Sequence, residues 1–282
     1  MRSERRRRAF SPVRLRSLGA ESMTPTEVLG LFLWGLLASL ALMSLVWVFS
    51  VPRRDASLVD RFWGLGFVWV ALLWWWFAGR PASAWVMLVP VILWGLRLSA
   101  YITWRNWGHG EDARYTEMRA ERSDAAFARR SLVTIFWLQA SLLAVIALPM
   151  LASVRGGMPL WPLVWLGWAV WLSGFVYESV ADWQLARFKA DAGNRARLMD
   201  RGLWRFSRHP NYFGEIVVWL GFGLIGLAFG GWWALPGVAL MIFLILRVSG
   251  VALLDRRLGE TRAGYREYAR RSNALIPGPV RR

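Results

Sequence analysis

The 282-residue chain has no cysteine, two histidines and a single lysine, Lys189. The first absence removes disulfides, thiolate chemistry and every cysteine-based metal site, and leaves the compartment open. His109 and Glu111 have no further His or Cys nearby to complete a metal shell, so no metal site is expected and the pair reads as part of a loop with its own hydrogen bonds. Because Lys189 is the one lysine among 35 basic residues, part of the arginine excess reads as codon bias without functional content. The soluble dinucleotide fingerprint G-x-G-x-x-G reads as absent, and so does a P-loop. Any nucleotide must therefore be held by side chains.

What is abundant is apolar surface: 56% of the residues are hydrophobic and 21 are tryptophan. Seven runs approach the ~20 residues needed to cross a bilayer core: roughly 27–50, 62–79, 84–103, 132–153, 159–181, 211–229 and 232–254. Hydrocarbon admits only helices or closed barrels, and uninterrupted runs of this length are helices. The expected fold is all-α, a polytopic transmembrane bundle of about seven spans, with residues 23–282 as one integral membrane domain. Trp63, Trp69, Trp74, Trp75, Trp76 and Trp85 read as interfacial belts and bundle packing.

A net charge of +17 invites a nucleic-acid partner, yet the basic residues lie between the apolar runs, as topology signals do. If the first helix enters from outside, the inner segments 51–61, 104–130, 183–209 and 256–282 carry three, six, seven and eight basic residues. The other side then holds Arg80, Arg155 and the seven arginines of residues 1–22. That basic tail opposes the rest, which a translation start at Met23 resolves; a transit-like leader or a miscounted span are the alternatives. The expectation is a multi-pass protein of the inner (cytoplasmic) membrane with a cytoplasmic C-terminus, partnered by the bilayer and a lipid-like small molecule rather than nucleic acid. Nothing in the sequence sets an oligomeric state.

Charge inside spans marks function. Asn211 and Glu215 stand one turn apart on one helix face, and so do Glu178 and Asp182. Two carboxylates on one face stay buried only if paired or hydrated, and an arginine across the bundle would pair them. Asp60, Arg97, Tyr101, Glu178, Asp182, His209, Asn211, Glu215, Arg247 and Asp255 all fall in the same halves of their helices and are expected to line one cavity. Its rim, Lys189, Arg195, Arg197, Arg205 and Arg208, suits a phosphate-bearing ligand.

Residues 58–282 resemble bacterial membrane proteins of the steroid 5-alpha-reductase superfamily, in particular the DUF1295 group. The matching pieces are Val59-Asp-Arg-Phe-Trp-Gly-Leu-Gly66, Trp94-Gly-Leu-Arg-Leu98 with Tyr101, Asp182-Trp-Gln184, Gly202 to Glu215, and Arg247 leading to Tyr265-Arg-Glu-Tyr268 and Ala274-Leu-Ile-Pro277. Ser207-Arg-His-Pro-Asn-Tyr-Phe-Gly-Glu215 is the specific string. The resemblance implies an NADPH-dependent reductase of a conjugated C=C bond in a lipid-like enone. It also implies cofactor contacts from Asp182, Lys189, Arg197, Arg208, His209, Asn211, Glu215, Arg247, Asp255, Tyr265 and Tyr268. By position Asp60 is the implied acid, with Tyr101 or Arg97 a nearby donor. The chain departs from the steroid enzymes in having Asp for Glu at position 60, Trp94 in place of the substrate tyrosine, and no C-terminal His cluster around Val251.

Arg208-His-Pro-Asn-Tyr-Phe-Gly214 is also similar to the membrane methyltransferases of the isoprenylcysteine carboxyl type, which use S-adenosylmethionine. Those usually carry an acidic doublet where this chain has Asp255-Arg256. A non-catalytic lipid-binding or scaffold protein is the third alternative, and it gains nothing from burying charge.

Overall fold

In a computed structural model the described residues are 23–155, 157–194, 197–248, 250–261 and 264–280. The basic tail and Arg195 lie outside them. Helix α1 spans Pro25–Arg53 and opens on a capping box: Thr24 Oγ1 accepts from Glu27 N at 3.3 Å and Glu27 Oε2 accepts from Thr24 N at 2.8 Å, with Pro25 at the first helical position. A short α2, Leu58–Arg61, leads into α3, Trp63–Phe77, and α4 runs Trp85–Arg105. Two surface helices follow, α5 (Ala113–Ala120) and α6 (Asp124–Ser131). A π-helical turn at Leu132–Trp137 joins α6 to α7, Leu138–Ile146, and α8 is Leu148–Ser153. Then come α9 (Trp161–Ala190), α10 (Pro210–Ala228), α11 (Leu235–Phe243), a π-helical turn at Leu244–Val248, α12 (Val251–Thr261) and α13 (Tyr265–Arg271).

Among the described residues six segments are long and apolar enough to cross a membrane, and α3 is a shorter apolar helix beside them. The chain is a polytopic helical bundle of about seven spans. Two boundaries differ from the apolar runs. Helix α9 continues to Ala190 because Glu178 and Asp182 find partners across the bundle, so polarity does not end the helix there. The fourth run is divided near Ala147, where Pro149 opens α8.

Helices α9 and α10 pack backbone to backbone. A Cβ on Gly214 would lie 2.8 Å from Glu178 Cα, and one on Gly174 would lie 2.7 Å from Gly214 O, so any larger residue would push the helices apart. Gly221-Phe-Gly-Leu-Ile-Gly226 has the G-x-G-x-x-G spacing, but it lies mid-helix in α10, with Gly221 against Trp171 and Gly226 against Pro149. Its glycines serve helix packing rather than a phosphate turn.

Between α3, α4 and α10 stands an aromatic plug. Phe67, Trp94, Trp219 and Phe222 are all fully buried, with ring centroids 5.0 Å apart for Phe67–Trp219, 5.5 Å for Trp94–Trp219 and 5.3 Å for Trp219–Phe222. Edge-to-face contacts of this kind add to the stabilisation from burial. Residues 54–61, 106–130, 191–194 and 197–209, with α13, gather at the arginine-rich ends of the helices.

Candidate functional site

Three helices each carry an aromatic residue deep in the bundle and a polar one nearer the arginine-rich face. On α10 the series is Trp219, Glu215, Asn211; on α4 it is Trp94, Arg97, Tyr101; on α9 it is Trp171, Glu178, Asp182. Spacings of three, four and seven residues set each series on one face, and packing of the three helices brings the polar tips together.

Arg97 is the hub. Its Nη1 donates to Glu178 Oε1 at 2.5 Å and its Nη2 donates to Asp182 Oδ2. Trp94 Nε1 donates to the other Glu178 oxygen at 3.2 Å, tying the aromatic plug to the ionic group. Asn211 Nδ2 donates to Asp182 Oδ1 at 3.2 Å, and Tyr101 OH donates to the Asp182 carbonyl oxygen at 3.4 Å. Glu178 and Asp182 side chains are only 3% and 5% exposed, so one guanidinium balances two desolvated carboxylates. Glu215 lies within electrostatic reach of Glu178, Asp182 and Arg97, and among the described residues no hydrogen bond reaches its carboxylate. A half-buried acceptor left open beside a saturated network is the feature that asks for a ligand.

A cleft of about 620 Å³ opens on the arginine-rich face next to this group. Tyr101, Trp104 and Arg105 from the end of α4 form one wall, Ala186 and Lys189 of α9 another, and Ser57, Glu111 and Asp112 the third. Tyr101 therefore touches both the cleft and Asp182.

Asp60, on α2, belongs to a second group. It accepts from Arg114 Nη2 at 2.8 Å and from Tyr115 OH at 3.1 Å, while Asp112, the N-cap of α5, accepts from Arg114 Nε at 2.9 Å. Burial raises the Asp60 pKa above the ordinary carboxylate value, and the Arg114 guanidinium pulls the other way. Burial also pushes the Tyr115 phenol up, with the Asp60 charge adding to it.

The third group is a clasp. Asp255 of α12 accepts from Arg208 Nη2 at 2.8 Å and Nε at 3.3 Å, from His209 Nε2 at 2.7 Å, and from the Tyr265 hydroxyl. Arg208 Nη1 donates to the carbonyls of Ala269 at 3.0 Å and Ser272 at 2.9 Å, and its backbone N–H to Asn273 O at 2.8 Å. Tyr268 OH donates to Trp204 O. Together these bonds fasten α13 and the residues after it to the segment that starts α10.

Residues 46–272 match the family described as a protein of unknown function, DUF1295. The chain belongs to this family. An uncharacterized Schizosaccharomyces pombe protein is 29% identical over 229 residues, covering 69% of this chain and 64% of that one. The 3-oxo-5-alpha-steroid 4-dehydrogenase 1 of Macaca fascicularis is 27% identical over 116 residues, 41% of each chain. A very-long-chain enoyl-CoA reductase of Dictyostelium discoideum is 36% identical over 80 residues, 28% of this chain and 26% of its own. The chain spans less than two thirds of the length of each. No solved structure matches.

In this DUF1295 chain nine of the ten polar residues are divided among three groups rather than lining one cavity, the tenth being the exposed Arg247. Arg97, Tyr101, Glu178, Asp182, Asn211 and Glu215 come together; Asp60 sits with Arg114 and Tyr115; Arg208, His209, Asp255 and Tyr265 form the clasp, with Tyr268 beside it. Lys189 lines the cleft, whereas Arg197 and Arg247 are exposed. Sequence reasoning passed over Arg105, Arg114 and Tyr115, which lie in or beside a charged loop read as solvated. The available signal was Asp112 ahead of Ala-Arg-Tyr, an N-cap that orients the first turn of α5. No group of three or more metal-ligating side chains occurs among the described residues.

Proposed function

We propose that the chain is a membrane-embedded oxidoreductase that reduces a conjugated C=C bond of a lipid-like enone with NADPH. The observation that carries this reading is the open Glu215 carboxylate beside Asn211, set against the closed Arg97–Glu178–Asp182 group. Two of the relatives above are named as redox enzymes, a dehydrogenase and a reductase, which supports the class.

The residues fit the cofactor's chemistry. A nicotinamide carboxamide offers two N–H donors and one carbonyl, and Glu215 is an acceptor while Asn211 keeps its amide oxygen and one N–H. Arg105 and Lys189 supply cationic groups in the cleft for phosphates, with the Tyr101 and Trp104 rings as stacking surfaces. Arg208, His209, Asp255, Tyr265 and Tyr268 act by fixing the start of α10, and Arg197 and Arg247 add positive potential at the rim. When bound, the nicotinamide supplies a hydride to the beta carbon of the enone.

The remaining steps belong to the chain. Arg97 holds Glu178 and Asp182, and Asp182 in turn holds Asn211, so the carboxamide partners are fixed before the ligand arrives. The aromatic plug keeps water from the hydrocarbon side. Asp60 is the proposed acid: protonated, it donates a hydrogen bond to the carbonyl oxygen where negative charge develops. Tyr101 is the second donor, and Arg97, whose Nη groups face carboxylates, is a positioning residue. The arginine-rich face is cytoplasmic in this reading, with an inner-membrane location and an inward C-terminus, following the charge asymmetry.

The test is turnover. Protein purified in mild detergent is incubated with NADPH and a panel of conjugated steroid, isoprenoid and fatty enones, and product is read by mass spectrometry. A product heavier by two hydrogens, formed with loss of NADPH, is expected. Methyl transfer from S-adenosylmethionine with no NADPH consumption would favour the methyltransferase, and binding of neither nucleotide would favour a scaffold.

A further inference from the structure

A second, smaller cavity shares no wall with the cleft. Of about 180 Å³, it lies where α1 ends and α6 begins, with Arg54, Arg119 and Asp124 at its mouth and Val51, Phe127 and Ala128 forming its apolar side. The candidate membrane spans Pro25–Arg53 and Asp124–Ile146 stop and start at this level, so the cavity stands where hydrocarbon gives way to head groups. Val48 and Val51 continue an exposed apolar strip down α1 below it.

The charges at the mouth have a definite order. Arg119 is fixed from behind: Glu111 accepts from its Nη2 at 2.7 Å, and its guanidinium lies 4.2 Å from the Phe127 ring centroid. Arg54 Nη2 is 2.8 Å from Asp124 Oδ1, and Arg119 Nη1 is 3.8 Å from the same oxygen. The Arg54 and Asp124 side chains are 65% and 57% exposed, so their mutual attraction is weak and easily exchanged. Because Glu111 holds Arg119 through Nε and Nη2, the groups left to a ligand are the Arg54 guanidinium, the Nη1 edge of Arg119 and the Asp124 carboxylate, which complement a phosphate next to an ammonium.

We propose that this cavity binds the head group of an aminophospholipid, with the phosphodiester on Arg54 and Arg119, the primary ammonium on Asp124, and the acyl chains along α1. An anionic head lacking the ammonium would leave its phosphate facing Asp124. A choline head has no N–H to donate to that carboxylate. Soluble phosphoethanolamine shares the polar chemistry but has nothing to lay against Val48 and Val51. The site is separate from the redox reading and stands or falls without it.

The experiment is native mass spectrometry of the full chain released from mixed micelles containing equal amounts of phosphatidylethanolamine, phosphatidylcholine and phosphatidylglycerol, with phosphoethanolamine as a soluble arm. Retention of phosphatidylethanolamine about threefold above the other two is expected, the scale of one exposed ion pair. Asp124→Asn should bring it down to the phosphatidylglycerol level, and Arg54→Gln should lower all three. Both positions are exposed, and a melting curve verifies that each variant is folded. Equal retention of the three lipids, or an unchanged preference in folded Asp124→Asn, would overturn the proposal. Capture of phosphoethanolamine without preference among the lipids would overturn the lipid assignment.

Discussion

The Arg97 group and the Asp255 clasp contain the same kinds of side chain and end differently. In the clasp one carboxylate receives four donor groups from Arg208, His209 and Tyr265, and the remaining Arg208 donor goes to backbone carbonyls. Both oxygens of Asp255 are engaged. Around Arg97, two carboxylates share one guanidinium, and a third, Glu215, stays open. A closed network fixes geometry, while a network with one half-buried acceptor in excess leaves that acceptor open to a further partner.

The contrast is best broken at its hub. Arg97→Ala strands two buried carboxylates and should cost about 3–5 kcal/mol, seen as loss of folded protein or a lowered melting temperature in detergent. Asp255→Asn removes a charged acceptor and should cost about 1.5–3 kcal/mol in the same assay, with freer exchange of α13 amides and a smaller change in NADPH affinity. A melting temperature that falls as far for Asp255→Asn as for Arg97→Ala would erase the distinction between the two groups. Glu215→Gln should weaken NADPH binding by about tenfold, or about 1.4 kcal/mol, while leaving the melting temperature unchanged.

Asp60 gives the smallest and most pH-dependent effect. Because burial raises its pKa above the ordinary aspartate value of 3.8, the folded state favours the proton. Its stabilising contribution is full below 3.8 and is lost as pH rises through the raised folded value. Turnover that uses protonated Asp60 falls along the same limb, and Asp60→Asn should flatten the stability change there while lowering kcat. A limb unchanged in Asp60→Asn would assign the titration to another group.

The spans and the Arg97 group were legible because each follows a local rule. Twenty apolar residues need a membrane, and Glu178 and Asp182 one turn apart need a cation. The partner of Asp60 was not legible. Arg114 and Tyr115 lie more than fifty residues away in a loop whose composition looks solvated, and only the folding of α5 across α2 brings them in. Nor could the sequence separate the clasp from the site, since Arg208, His209 and Asn211 are near neighbours in one string. They part because α10 begins at Pro210, with His209 as its N-cap facing Asp255 while Asn211 turns toward Asp182. Tyr268, expected near the ligand, donates its hydroxyl to the Trp204 carbonyl, a contact no local sequence rule announces.

The most direct measurement is a fluorescence titration of the purified chain with NADPH, run on the native protein and on Glu215→Gln, with S-adenosylmethionine as competitor. Saturable NADPH binding that S-adenosylmethionine does not displace, and that weakens about tenfold in a Glu215→Gln protein of unaltered melting temperature, is the predicted result. Equal NADPH affinity in the two proteins, or displacement by S-adenosylmethionine, would contradict the account.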